Sequence, residues 1–361
     1  MSKAAELAKI GEVATNSQIG GRRNIVINGA MNVAQRATST TGIGANGNVF
    51  VVDRFKTFAG STAGRATVSQ TADGPSGFAN CLKLDCTTAD TSIAAAEFFG
   101  VAYDFEGQDL QQLKKGTSDA EKVTLSFYVK GNAAATYTCE LKDNDNTRII
   151  AQTFAVTTSW NEIVLTFNAD TTGALDDDNA SSLSLNIWLH AGSTYNGGTF
   201  ASNVWASQTI ANRVADETSF FDSTDREFFI TGVQLEVGSV ATPFEHRSFG
   251  EELALCQRYY WQFGAGDPNY TPIGTGVSEG SFSNIAMFYP TKMRAAPAIA
   301  YSSGVQVFDG STARAVTGTR GAYIGVRSVN FQPNHASLVV GRGVYSSLTG
   351  TSEYFSFDSE L

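Results

Sequence analysis

The stretch Phe228-Phe229-Ile230-Thr231-Gly232-Val233-Gln234-Leu235-Glu236-Val237-Gly238-Ser239 decides how the chain is read. Ten β-compatible residues run without a break, and Gly238-Ser239 then stops them. Strict alternation puts Phe229, Thr231, Val233, Leu235 and Val237 on one face and Phe228, Ile230, Gly232, Gln234 and Glu236 on the other. Downstream, Pro243 pre-sets an extended Thr242, and Phe244 and Phe249 supply apolar anchors. The segment therefore reads as the last strand of one domain passing into a packed connector.

Upstream of it, further strands follow at short intervals separated by turn-rich stretches. They are Ala66–Gln70, Cys81–Asp85, Val123–Lys130, Ala135–Leu141, Arg148–Phe154, Trp160–Phe167 and Leu183–Leu189. Val123–Lys130 is the clearest, with Val123, Leu125, Phe127 and Val129 on one face. Such a succession predicts a two-sheet antiparallel sandwich. Asn24–Arg36 reads as the opening strand, and Gln35, Arg36, Asp53 and Arg54 as a polar network stitching it to the next. The connection Gly192–Ser223 is long, polar and poor in alternation, which suggests a segment pinned by a neighbouring subunit.

Downstream, Glu251–Trp261 reads as a short helix. Strands are expected again at Phe282–Pro290, Met293–Tyr301, Val305–Phe308, Ala322–Arg327, Val329–Phe331, Ala336–Val340 and Tyr354–Phe357. The fold class is thus all-β: an antiparallel jelly-roll-like β-sandwich, then a smaller C-terminal β-domain, with a short helix over residues 2–15. The expected domains are 1–22 as an N-terminal attachment segment, 23–249 as the sandwich and 250–361 as the C-terminal domain.

Composition agrees with strands and turns: of 361 residues, 35 are Gly, and charged residues make up 17%. The net charge of −10 argues against a sequence-independent hold on nucleic acid. From Gly250 onward seven basic residues face eight acidic ones, a near-neutral balance compatible with binding sugars. No apolar run is long enough to insert in a membrane, and Lys3, Glu6 and Lys9 break any leader-like core, so synthesis in a cytoplasm is expected. Cys81, Cys86, Cys139 and Cys256 show no metal or redox spacing and read as buried thiols.

The chemistry-bearing residues are sparse. His190, His246 and His335 lie far apart, without a G-x-S-x-G elbow or a zinc motif, so no catalytic or metal-ligating residue is nominated. Asp143-Asn144-Asp145-Asn146 and Asp176-Asp177-Asp178-Asn179 have the oxygen donors a structural calcium needs, but Asp and Asn also dominate hairpin turns, and the turn reading is favoured. No cofactor is expected. Trp188, Tyr195, Trp205, Tyr259, Tyr260, Trp261, Tyr270 and Tyr289 have rings able to stack on sugars. Of these Tyr270, Trp261 and Tyr289 are the nominated receptor-binding residues, Tyr270 being the least explained by packing.

Three motifs carry a resemblance. Asn24–Arg36 with Asp53-Arg54-Phe55, the run from Ile230 through Thr242-Pro243-Phe244-Glu245-His246-Arg247-Ser248-Phe249, and Cys256-Gln257-Arg258-Tyr259-Tyr260-Trp261 together resemble bacteriophage tail-fibre and related virion proteins. Phe288–Pro297 resembles the domain that follows the last motif in that family. The order of strands also resembles carbohydrate-binding-module jelly rolls. The resemblance implies a virion protein, a homotrimer, docked on other tail or capsid proteins through its N-terminus. It would attach the particle to a host-surface glycan or protein without catalysis. A decoration protein contacting only other virion proteins and a glycan-degrading tail enzyme stand as alternatives.

Overall fold

The computed structural model describes residue 3 and residues 22–361, apart from residue 265. The expected helix over residues 2–15 and the attachment segment 1–22 fall, but for Lys3 and Arg22, outside the described residues. The chain folds as two compact units, the first running to Glu252 and the second covering Leu253–Glu360.

The first unit contains β1 (Ser39–Ile43), β2 (Asn46–Phe50), β3 (Phe55–Gly60), β4 (Arg65–Thr71), β5 (Cys81–Thr88), β6 (Phe98–Glu106), β7 (Val123–Gly131), β8 (Ala135–Asp143), β9 (Arg148–Val156), β10 (Asn161–Phe167), β11 (Ser181–Ala191), β12 (Ala206–Ser207) and β13 (Glu227–Val237). Sheet I has the order β1-β4-β5-β13-β7-β10 and sheet II the order β12-β9-β8-β11-β6-β3-β2. The ladders between these strands are antiparallel. This is the expected jelly-roll-like sandwich. Its interior is marked by rings that meet across it: Phe127 on β7 and Phe154 on β9 at 5.2 Å, and Tyr137 on β8 and Phe228 on β13 at 5.7 Å.

The deciding strand departs from strict alternation. Ile230 lies opposite Val129 and Thr231 opposite Tyr128, but Gln234 lies opposite Ser126 and Leu235 opposite Leu125, so β13 carries one extra residue. The bulge falls at Gly232, whose φ of 65° is in the left-handed region. It resets the phase, so Phe228, Ile230, Val233 and Leu235, all fully buried, share the core face with Leu125, Phe127 and Val129. Thr231, Gln234 and Glu236 share the other face; they are buried too and tied by hydrogen bonds, Glu236 accepting from Thr242 and Gln234.

Residues 24–36 are not a strand. Asn28 and Met31 have φ of 62° and 56°, which breaks the extended run. The Asn28 side chain instead gathers Asn32 N–H, Val33 N–H and the carbonyls of Val33 and Asp53, while Asn24 bridges to the backbone of Val233 and Leu235 on β13. The polar network does exist, but it clamps a loop: Gln35 N–H donates to Asp53 at 2.9 Å, and the buried Arg54 donates to the Asp104 carbonyl at 2.6 Å with its guanidinium 4.9 Å from the Tyr103 ring centroid.

β6 was not among the expected strands. Residues Phe99 to Glu106 are all buried, although Phe99, Val101, Tyr103 and Phe105 alternate with Gly100, Ala102, Asp104 and Glu106 at period two. The connection after β11 is pinned by its own unit: Val214, Phe220 and Phe221 are buried, Phe220 N–H donates to Leu189 O at 2.7 Å, and Arg213 forks onto Glu140.

A helix, Phe249–Cys256, carries the chain into the second unit. It ends earlier than expected, and Tyr260 to Gly264 are already a strand. The second unit contains β14 (Tyr260–Gly264), β15 (Pro272–Ser278), β16 (Ser283–Phe288), β17 (Ala298–Tyr301), β18 (Val305–Phe308), β19 (Ala313–Ile324), β20 (Ser328–His335), β21 (Gly343–Leu348) and β22 (Tyr354–Asp358). Strands β15-β16-β20-β19-β18-β21 close into a barrel, and β14-β22-β17 form a separate sheet. Ala336–Val340 is not a strand, and the Gly304–Gly325 stretch, glycine-rich enough to suggest turns, holds all of β18 and β19. Ile285, Met287, Val305, Val307, Val329 and Phe331 fill the barrel, with Phe355 and Phe357 of β22 in the same core.

Candidate functional site

The three nominated aromatics do not converge on one surface. Trp261 stacks nearly parallel on Phe357 at 5.3 Å and meets Phe263 at 4.3 Å, and Tyr289 meets Phe357 at 4.9 Å, so both rings belong to the core of the second unit. Burial pushes the Tyr289 phenol up to about 12, and its hydroxyl has no hydrogen-bond partner. Tyr270 is on the surface, 60% exposed with φ of 67°, on the turn before β15. Of the wider aromatic set, Trp188, Tyr259 and Tyr260 are also buried.

The exposed aromatics of the barrel are elsewhere. Phe288 is 76% and Tyr323 71% exposed. β16 alternates strictly: Ile285, Met287 and Tyr289 are buried while Ala286 and Phe288 are exposed. Tyr289, nominated for its ring, is buried; the pleat gives the outward position to its neighbour Phe288. β20 continues the pattern, with Val329 and Phe331 inside and Ser328, Asn330 and Gln332 outside.

Register aligns the outward residues into one platform across β16, β20 and β19. Phe288 lies opposite Ser328, Ala286 opposite Asn330, and Asn330 opposite Tyr323. Strand spacing and rise place the Phe288 and Tyr323 backbones roughly 12 Å apart. Beside them runs a row of amides. Gln332 donates to Asn284 Oδ1 at 2.8 Å, Asn330 Nδ2 lies 3.5 Å from the same oxygen, and Asn284 donates to Glu279 at 3.3 Å. Each amide carries more donors and acceptors than these bonds use, so the row can still bond hydroxyls presented in a plane. At the edge, Arg320 sits 4.2 Å from the Phe282 ring centroid.

Two constellations that the sequence left apart are brought together by folding. His335 Nε2 lies 2.7 Å from Ser283 Oγ, and its Nδ1 lies 2.8 Å from the Ala336 carbonyl. His190 Nδ1 lies 2.7 Å from Ser219 Oγ, and its Nε2 lies 3.4 Å from Glu97. The second has serine, histidine and carboxylate in order, but Ser219 Oγ already accepts from Phe221 N–H at 3.1 Å, and the His190 ring is fully buried against Phe221. Burial pulls His190 below its ordinary value and keeps the imidazole neutral, which suits a pin holding the 192–223 connection.

The two acidic loops are engaged within the protein. Asp143 is paired with Lys115, which also lies 3.1 Å from Asp170 and donates to the carbonyls of Thr172 and Gly173. Asp143 also accepts from Asn146, and Asp145 accepts from Asp176 N–H at 2.9 Å. Among the described residues no three His, Cys, Asp or Glu side chains gather as a metal site.

Sequence comparisons returned no matching family model and no matching curated protein. Similar solved structures include the CBM22-1 xylan-binding domain of Xyn10C from Paenibacillus barcinonensis, at 13% identity over 62% of this chain and 100% of that one, with a TM-score of 0.30. TmCBM61 in complex with β-1,4-galactotriose is similar at 7% identity over 60% and 99%, with a TM-score of 0.31. The enzymatically active domain of tailspike protein 4 from bacteriophage CBA120 is similar at 11% identity over 59% of this chain and 21% of that one, with a TM-score of 0.29.

Proposed function

We propose that this chain is a non-catalytic glycan-binding component of a bacteriophage particle, a tail fibre that recognises the host surface through its barrel. The observation that carries the recognition half is the β16–β20–β19 platform, two exposed rings beside a row of amides. Ring faces stack on the C–H faces of sugars while amides bond the hydroxyls, and the near-neutral second unit imposes no charge requirement on the ligand. The particle half rests on the resemblance of the Asn24, Ile230–Phe249 and Cys256–Trp261 motifs. Assembly as a homotrimer docked through the N-terminus belongs to the same proposal. A shallow platform suffices when several copies engage at once.

The test is binding of the full chain to an array of bacterial surface polysaccharides, wild type against the F288A/Y323A double variant. Wild type should bind at least one glycan, and the double variant should lose about tenfold or more, the value of two lost ring contacts. Equal binding by both would move recognition off this face. Absence of any glycan binding, together with particles that lose stability but not adsorption when the protein is deleted, would favour the decoration reading.

A further inference from the structure

The second unit is near-neutral in sum, but its charges are not evenly placed. Val326-Arg327 is the turn that joins β19 to β20, closed by Gly325 N–H donating to Ser328 O at 3.0 Å. Its carbonyls hold the chain that leaves β16: Tyr289 N–H donates to Arg327 O at 3.0 Å and Met293 N–H to Val326 O at 2.8 Å. Phe288, the outward ring at this end of the platform, lies opposite Ser328, the neighbour of Arg327. Folding thus sets two exposed cations, Arg327 and Lys292, beside the Phe288 end of the rings and amides.

Neither cation has an ion pair or a side-chain hydrogen bond among the described residues. The carboxylates of this unit are engaged elsewhere. Asp309 pairs with Arg342 at 3.2 Å, Glu279 accepts from Asn284, Asp267 from Gly264 N–H, Glu353 from Gly304 N–H and Asp358 from Glu360 N–H. Glu360 lies in the segment whose carbonyls Arg294 bonds. At the opposite end of the platform Arg320 lies over the Phe282 ring, and Glu279, whose N–H donates to the Phe282 carbonyl, shares that end. The excess of positive charge is therefore local to the Phe288 corner. The Arg327 fork matches the oxygen pair of a carboxylate or phosphate, and Lys292 adds a point charge beside it.

We propose, on the reading of β16–β20–β19 as a glycan platform, that the glycan it takes is anionic. Rings and amides seat the sugars, and Arg327 with Lys292 receives an oxyanion, a phosphate or a carboxylate, carried by the sugar beyond Phe288. The neutral sum of the unit leaves the ligand's charge open, and this corner sets the preference. Both cations are exposed, so the contact is screened by salt and selects among glycans rather than supplying most of the affinity.

The experiment takes the bacterial surface polysaccharides that the full chain binds and strips their charge in two ways, carbodiimide-mediated reduction of uronic acids and hydrofluoric acid cleavage of phosphate esters. One treatment should weaken binding about fivefold or more at low salt, and which one does so identifies the oxyanion. Raising sodium chloride should weaken binding of the untreated glycan and leave the stripped one nearly unchanged. The Arg327→Gln/Lys292→Gln double variant should no longer distinguish the two forms. Should that variant fail to fold, the salt dependence of the wild type decides. Binding that survives both treatments, salt-independent binding of the untreated glycan, or a folded double variant that still discriminates would each overturn the inference and leave the glycan platform standing. Absence of binding to any glycan would overturn both.

Discussion

The sandwich and the barrel handle their outward faces in opposite ways. The sandwich gathers charge there and locks it: Arg213 forks onto Glu140, Lys56 pairs with Asp104, and Lys115 and Arg148 hold Asp170. In the barrel, β16 and β20 alternate cleanly between a largely apolar inside and a neutral outside, and Phe288 and Tyr323 stand in solvent. Where outward groups saturate one another, the face serves the fold. Where they are neutral and incompletely bonded, the face itself is the proposed recognition surface.

The contrast can be broken most sharply at the core. Phe127 is fully buried at the centre of the sandwich, so Phe127→Ala should cost about 3–5 kcal/mol in urea denaturation, and it should act on the first unit's transition. In the barrel, two adjacent residues give the matched test. Tyr289→Ala should cost roughly 3 kcal/mol, whereas Phe288→Ala should fall within about 0.5 kcal/mol of wild type by thermal melting. Comparable losses at both positions would mean that the alternation of β16 is misplaced.

A smaller effect sharpens the account of β13. A Cβ at Gly232 would sit 2.8 Å from the Phe78 ring and 2.9 Å from Tyr128, at a φ of 65° that side chains rarely adopt. Gly232→Ala should cost about 1–2 kcal/mol, with the melting temperature as the readout.

The smallest effect is in acid. Burial raises Asp170 but is outweighed by Arg148 and Lys115, and backbone N–H groups of Ser311 and Thr312 bring Asp309 down to about 2. Both folded carboxylates thus bind a proton less readily than in the unfolded chain. Their stabilisation is complete above the ordinary aspartate value and drains as pH falls, for Asp309 through about 2. Asp309→Asn should lower the second unit's melting temperature slightly at neutral pH and flatten its acid limb, the variant and wild type converging as pH falls through about 2.

Much of this was legible where the two faces of a strand differ in chemistry. β7 shows Val123, Leu125, Phe127 and Val129 at period two because its other face carries different chemistry, and β16, β18, β20 and β22 were found for the same reason. β6 follows the same period, with Phe99, Val101, Tyr103 and Phe105 on one face, and was overlooked. The bulge in β13 escaped because Gly232 fits an alternating pattern as well as a broken one; only the partner strand's register exposes the extra residue. The platform was half-legible: Tyr289 was nominated for its ring, but which of Phe288 and Tyr289 faces out depends on strand phase, and Tyr289 is buried. Closure of the barrel leaves no local mark, since it is a pairing between β15 and β21, far apart in sequence.

That closure has a consequence for life at high copy density. An open sheet ends in strands whose unpaired backbone groups can template a neighbouring chain, and sheets I and II end in β1, β10, β2 and β12. The six barrel strands have no such ends, because β21 returns to β15. Barrels crowded side by side therefore have no free ladder along which to zip, and an exposed Phe288 or Tyr323 can be displayed without seeding cross-strand aggregation through that part of the fold.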